Sequence, residues 1–308
     1  MRSEPVDVVV VSYHSRRHLR ACVEPLVGIP EIRVIVIDSA STDATLSTIS
    51  DLPVDAIPLP TNRGFAYACN AGWRRSDAPF VLFLNPDATI DARSIDRLVE
   101  VAQAPDVGAA APKIVEADGS LDFSMRRFPR LRSTYAQALF LHRLFPRTTW
   151  SDELVRDVDA YSQPGTPDWA SGACLLVKRE ILVQLDGLDE GFFLYCEDLD
   201  LCRRIRDAGF EIRYDPDAVA SHEGGGSAPR AGLLPVLAAS RARYGHKHQR
   251  PTVARLEQVG IALGALTHVV ISRGGLSTRR AYLHAALAAL RRPTSPDRGS
   301  SGGASVND

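Results

Sequence analysis

The sequence predicts an α/β protein: a mostly parallel central sheet flanked by helices, followed by a helical C-terminal extension. Two observations carry this. Continuous apolar runs at 6–12, 33–38 and 80–84 have the pattern of strands buried on both faces. Segments with helical spacing separate them, at 14–27 (Leu19, Val23, Leu26) and 64–75. Such alternation gives a parallel sheet with helices on both faces. With 308 residues, 45% of them hydrophobic, the chain can bury one large domain and still carry an appendage.

The remaining elements follow in order. After 33–38 come a short helix to about residue 51 and a weaker strand at 54–57. A helix at 92–103 and a small strand near 107–110 follow the third strong strand. Residues 118–161 are less regular and place Arg126, Arg127, Arg130 and Arg132 among aromatics, which suits a lid or acceptor-binding insertion and a plain surface loop equally. Residues 168–179 read as a turn and a strand. Phe210, Ile212 and Tyr214 alternate with polar residues like an edge strand, and residues 218–222 then lead to Gly224, Gly225 and Gly226.

In such sheets ligands bind beyond the carboxyl ends of the strands. Polar residues gather at those ends: Ser12 and Tyr13, Asp38, and Asn85 with Asp87. Each alone is ordinary turn chemistry, but three such ends together point to a site. No G-x-G-x-x-G follows the first strand, and neither a P-loop nor a G-x-S-x-G elbow is present. That argues against a dinucleotide site, a P-loop nucleotide hydrolase and an α/β-hydrolase. Five cysteines without a close pair argue against a disulfide framework or a zinc site, and predict reduced, mostly buried thiols.

The densest chemistry lies at 189–209. Glu197, Asp198 and Asp200 follow the aromatics Phe192, Phe193 and Tyr195 and precede Arg203, Arg204 and Arg206. Acids first and bases last suit a helix that starts near Glu197 and stops at Gly209. One acid there would only satisfy the helix start. Three beside an expected aromatic wall predict a reactive carboxylate, because apolar walls raise carboxylate pKa values.

In order along the chain stand Ser12-Tyr13, Asp38 to Asp43, Asn62-Arg63-Gly64-Phe65-Ala66 with Asn70, and Asn85-Pro86-Asp87. Trp169 to Gly172, Phe193 to Asp200 and His222 complete the set. Together they resemble the family 2 inverting glycosyltransferases of GT-A fold, especially their rhamnosyltransferase branch, over about residues 5–228. The resemblance implies the GT-A nucleotide-diphospho-sugar transferase fold for residues 1–228, with a nucleotide-sugar half to about 112 and an acceptor half from 113. It implies Asp198 as general base, supported by Glu197 and Asp200. Ser12, Tyr13, Asp38, Asn62, Arg63, Asn85 and Asp87 would line the donor side, and Trp169, Gly172 and Tyr195 the acceptor side. Asp87 and His222 would hold Mg²⁺ or Mn²⁺, with Mn²⁺ favoured if the imidazole ligates. The chain departs from the family pattern at Ser39, where Asn is usual, and at Asn85, where a second Asp is usual. The implied reaction is metal-dependent and inverting: a sugar, with L-rhamnose from dTDP-rhamnose the leading choice, moves from a nucleotide-diphospho-sugar to a lipid-linked or polysaccharide acceptor. A UDP-sugar-dependent transferase and an inactive membrane-associated glycan-binding protein are the alternatives. A sugar nucleotidyltransferase would show a Gly-rich, Arg-containing loop after the first strand, which 12–20 lacks. A glycoside hydrolase would also use two carboxylates, and would need no nucleotide-sugar.

The net charge of −1 hides an asymmetry. Residues 229–292 hold eleven Lys or Arg against one acid, Glu257, leaving about −10 for residues 1–228. This basic end is expected to face outward. Residues 259–272 form an apolar stretch read as too short to span a bilayer. Residues 276–292 place Leu283, Leu287 and Leu290 on one face beside Arg279, Arg280, Arg291 and Arg292. An anionic membrane surface fits this pair better than nucleic acid does, and a helical cap or a homodimer contact is the competing reading. The start, Met-Arg-Ser-Glu-Pro, shows no secretory leader, so the expected location is the cytoplasm, peripheral on the inner face of the plasma membrane. The Ser/Gly-rich tail, 293–308, is expected to be disordered.

Overall fold

The structure, a computed structural model, describes residues 4–145, 148–223, 231–272 and 275–291. The tail read as disordered and the glycines at 224–226 lie outside the described residues. The first apolar run forms β1 (Val6–Ser12), buried along its whole length. Because strand side chains alternate, β1 feeds two cores: Val6, Val8 and Val10 enter one, Val9 and Val11 the other.

Around it lie β2 (Ile32–Asp38), β3 (Asp55–Pro58), β4 (Phe80–Leu84) and β5 (Ala88–Ile90). The sheet continues with β6 (Val107–Val115), then β9 (Cys174–Lys178) and β10 (Glu211–His222), while β7 (Met125–Arg126) and β8 (Trp169–Ala170) form a separate ribbon. The main sheet has the order β3-β2-β1-β4-β9-β6-β10-β5. Four of its neighbouring pairs are parallel, while β9 is antiparallel to β4 and β6, and β5 to β10. The inserted β9 brings Ala173 to the end of β4, where its carbonyl accepts from the Asn85 amide at 2.9 Å. The β10–β5 register sets His222 opposite Ala88, one residue from Asp87.

Helices α1 (Leu19–Val23), α2 (Phe65–Trp73), α3 (Ala92–Ala102) and α6 (Arg179–Leu185) cover the sheet. Between them in the chain, α4 (Leu131–Ala138) and α5 (Leu141–Leu144) occupy the stretch left open as lid or loop. The carboxylate segment starts α7 (Glu197–Asp207), and the C-terminal extension folds as α8 (Leu234–His248), α9 (Pro251–Ile271) and α10 (Leu276–Leu290).

Several expectations need correction. The helix expected over 14–27 shrinks to α1 and a 3₁₀ turn at Glu24–Leu26: His14 takes a left-handed φ of 51°, and Pro25 has no N–H to continue the ladder. The strand read as an edge is β10, twelve residues long and paired on both sides. The helix read as too short to span is α9, whose 21 residues pass the length and apolarity test for a membrane helix. It nonetheless packs on protein: Tyr135 Oη on α4 donates to the Leu256 carbonyl at 2.9 Å, and Glu257 is buried beside Thr134. The basic end does not simply face outward either. Arg241, Arg243, Lys247 and His248 of α8 turn inward onto acids of the sheet domain. Opposite charges distant in sequence found each other across that junction. All five cysteines are free and buried, as expected.

Gly72 lets α2 lie directly on β1, since a Cβ there would overlap Val9 Cγ1. Gly72→Val should therefore destabilise the fold by about 2 kcal/mol through overpacking, read as a lower urea midpoint in circular dichroism.

Candidate active site

Three ends converge. At the first, Ser12 closes β1 opposite Asp38 on β2. The Asp38 carboxylate is buried and accepts from Ser12 Oγ at 2.8 Å, Ser41 Oγ at 2.6 Å and the Ser41 amide at 2.9 Å. Tyr13 is half exposed and stacks on His14 with ring centroids 4.3 Å apart. Asn62 Oδ1 accepts from the Gly64 amide at 2.9 Å, and the Arg63 guanidinium lies 3.9 Å from the Tyr67 ring centre. His14, Ser41 and Tyr67 belong to this cluster and were not singled out in the sequence. The left-handed turn that brings His14 back over Ser41 has no residue signature.

At the second end, His222 Nε2 lies 3.2 Å from Asp87 Oδ1 and 3.4 Å from Asn85 Nδ2, and its Nδ1 lies 3.9 Å from Asp122 Oδ2. Burial lowers the imidazole pKa, but Asp122 and Asp87 outweigh it and raise it to about 9. Asp122, missed in the sequence, sits in an irregular loop and was invisible to any spacing rule. Among the described residues no group of three His, Cys, Asp or Glu side chains is arranged to hold a metal ion. Asp87 and His222 bring together one carboxylate and one imidazole, so a cation there would have to displace the imidazole proton and complete its shell with other ligands, such as a bound diphosphate.

At the third end, the Asp198 carboxylate is held by two amides, from Gly172 at 2.9 Å and Leu199 at 2.7 Å. A Cβ on Gly172 would stand 3.0 Å from Asp198 Cβ, so glycine permits this approach. Burial raises the Asp198 pKa above the ordinary carboxylate value, against the pull of those amides and of Arg126. Glu197 is pushed well above that range by burial and by the charge of Asp198, and its buried Oε2 has no hydrogen-bond partner among the described residues. Asp200 points the other way, onto Arg204 at 2.8 Å and onto Lys247 and His248, both at 2.7 Å. The three acids thus divide into one held by two amides beside Gly172, one whose ionisation burial opposes, and one locked in ion pairs.

The segment before α7 is pinned on two sides. Gly64, at φ 96°, lies so close to Phe193 that any side chain would overlap its backbone, and the Phe65 amide donates to the Phe193 carbonyl at 2.7 Å. Asn70 Nδ2 donates to the Leu188 carbonyl at 2.9 Å. From α8, Lys247 Nζ reaches Asp189 and Asp200, both at 2.7 Å, and Ser240 Oγ donates to the Leu194 carbonyl at 2.8 Å. The expected aromatic wall is only partly formed. Phe193 is 42% exposed, but Phe192 is buried under Arg243 and Lys247 and belongs to the core. Tyr195 and Cys196 both take left-handed φ values, 68° and 66°, immediately before Glu197. Two such non-glycine residues in succession cost about 1–2 kcal/mol each, and strain of this kind concentrates at functional sites.

Residues 7–152 match the model of Glycosyl transferase family 2. The chain is 32% identical over 237 residues to an N-acetylglucosaminyl-diphospho-decaprenol L-rhamnosyltransferase of Mycobacterium tuberculosis, covering 71% of this chain and 76% of that protein. It is 28% identical over 155 residues to the rhamnosyltransferase WbbL of Escherichia coli, covering 49% and 54% respectively. Among solved structures, a mannosyltransferase from Pyrobaculum calidifontis in complex with GDP-Man and Mn²⁺ superposes with a TM-score of 0.58 at 19% identity, covering 94% of this chain and 87% of that one.

The ion pairs of Asp200 have a pH signature. Burial opposes its charge, yet His248, Arg204 and Lys247 outweigh burial and lower its pKa to about 2. Against an unfolded value of about 3.9, this stabilisation is complete above about pH 4 and lost as the pH falls towards 2. Between pH 6 and pH 3 the wild type should lose about 1 kcal/mol more stability than Asp200→Asn, measured by urea unfolding at both pH values.

Proposed function

The chain belongs to glycosyl transferase family 2, and we propose that it transfers L-rhamnose from dTDP-rhamnose, with inversion, to a lipid-linked or cell-wall glycan acceptor. The observation that supports the reaction type is Asp198: a carboxylate of raised pKa, oriented by two backbone amides, one from Gly172, whose neighbour Ala173 accepts from the Asn85 amide at the end of β4. The rhamnosyl choice rests on the named relatives.

In this reading the donor lies along Ser12, Tyr13, Asp38, Asn62 and Arg63, with its diphosphate towards Asn85 and Asp87. The acceptor approaches past Trp169, Gly172 and Tyr195. Asp198 takes the proton of the acceptor hydroxyl as that oxygen bonds to the anomeric carbon. The bond from that carbon to the diphosphate oxygen breaks on the opposite face, which inverts the centre. A raised pKa makes Asp198 a stronger base than an ordinary carboxylate. Burial and the charge of Asp198 both oppose ionisation of Glu197, which disfavours a second negative charge beside the base. Asp87 and His222 would hold Mg²⁺ or Mn²⁺, which when bound supplies Lewis-acid neutralisation of the leaving diphosphate.

Residues 1–228 act as the catalytic unit, divided near 112 into donor and acceptor halves, and 229–292 as the extension. Part of that extension stays available for an anionic membrane surface. On α9, Leu256, Val259, Leu263, Leu266 and Val270 recur at spacings of three and four, and Val270 is 78% exposed. On α10, Leu283, Leu287 and Leu290 are exposed beside Arg279, Arg280 and Arg291. No acid lies between Glu257 and Arg291, so apolar and basic residues share this surface. A peripheral place on the inner face of the plasma membrane would bring the enzyme to a polyprenyl-linked acceptor.

Asp198→Asn should lower transfer about 10²–10⁴-fold while nucleotide binding persists, and near-wild-type turnover would remove Asp198 as the base. A panel of dTDP-rhamnose, UDP-sugars and GDP-mannose, with and without EDTA, tests the donor and the metal: transfer only from a UDP-sugar overturns rhamnose, and EDTA-insensitive transfer overturns the Asp87–His222 role. Leu266→Asp with Val270→Asp should abolish cosedimentation with vesicles rich in anionic lipid. A wild-type dimer in light scattering that these changes dissociate, without vesicle binding, would assign the face to a second copy instead.

A further inference from the structure

Arg126 stands out among the arginines near the candidate site. Its neighbours are engaged: Arg127 donates to the Leu154 carbonyl, Arg203 pairs with Asp207, Arg206 donates to the Pro167 carbonyl, and Arg241 pairs with Glu153. The Arg126 guanidinium makes no hydrogen bond or ion pair among the described residues, and its Nε is buried without an acceptor. A buried donor without an acceptor is costly, and guanidinium stays charged at any working pH.

The position of this cation is fixed rather than incidental. Arg126 pairs with Trp169 across the β7–β8 ribbon, and its guanidinium lies 5.1 Å from the Trp169 ring centre. The indole is itself pinned, its Nε1 donating to the Arg127 carbonyl at 3.0 Å. Three residues after Trp169, the Gly172 amide holds Asp198, and Arg126 is close enough to favour the charged form of that carboxylate. Trp169 and Gly172 are the residues that the proposed function places on the acceptor side, so in that reading the unbonded donors of Arg126 lie there.

We propose that Arg126, stacked on Trp169, forms an anion subsite for an acceptor of the sugar-diphospho-lipid class, binding a phosphate of the acceptor rather than of the donor. This deepens the glycosyltransferase reading and rests on it for the identity of the acceptor. A planar, preorganised guanidinium suits the paired oxygens of a phosphate, whereas a neutral polysaccharide acceptor would leave its charge uncompensated.

Two measurements test this. Initial rates are compared for two acceptors with the same terminal sugar, one a short prenyl diphosphate and one a neutral alkyl glycoside. Arg126→Gln should raise KM for the diphosphate acceptor at least tenfold, leave KM for the neutral glycoside and the donor within about twofold, and be partly rescued by Arg126→Lys. Equal losses on both acceptors with a shifted acid limb of the pH profile would show that Arg126 only tunes Asp198. That result, or no change on either acceptor, overturns the subsite. With dTDP saturating the donor side, calorimetric titration of a short prenyl diphosphate reads the same subsite without turnover. Binding by the wild type that is at least tenfold weaker in Arg126→Gln supports the proposal even if the transferred sugar has been misassigned. Absent wild-type binding, or equal affinity in both proteins, sinks it.

Discussion

A single ammonium group ties the candidate site together. Lys247 of α8 contacts Asp189 and Asp200, the two ends of the segment that carries Phe193, Tyr195 and Asp198. The segment holds two left-handed residues in succession, a conformation that a free loop would relax. Closing its ends with ion pairs, and its middle with the Ser240–Leu194 and Phe65–Phe193 hydrogen bonds, fixes where α7 begins. The direction of the Asp198 carboxylate follows from that start. The extension is therefore part of the scaffold of the site, beyond any role at a membrane.

Charge sorting among the three acids depends on the same contacts. Asp200 can remain ionised deep in the protein because Arg204, Lys247 and His248 surround it. Glu197 has no such partner among the described residues, and burial together with the charge of Asp198 raises its pKa well above the ordinary range. Asp198, between these extremes, keeps two amide donors and a neighbouring cation, and stays an acceptor of raised basicity. Environment alone separates three carboxylates adjacent in sequence, the usual way one fold obtains distinct acid and base roles.

The architecture was legible because buried strands and amphipathic helices write their period into the sequence. Val6–Ser12, Ile32–Asp38 and Phe80–Leu84 are nearly uniform apolar runs, and their polar ends pointed to the candidate site. The run of acids after Tyr195 marked α7, and the ordered motifs marked the family. The length of α9 and the interior place of β10 were misread, because neither spacing nor composition shows which neighbours an element will find.

By itself the sequence determined the α/β fold, the strand-end polar residues, the carboxylate-rich helix start and the family. Tertiary structure alone decided that Phe192 is core while Phe193 is exposed, that Asp122 faces His222, that Asp200 pairs with Lys247 and His248 of α8, and that Arg126 rests on Trp169. The physical reason is range. Periodicity and turn chemistry act over a few residues, whereas ion pairs, Gly172–Asp198 approach and cation–π stacking join groups tens of residues apart, and only the packed chain sets those distances.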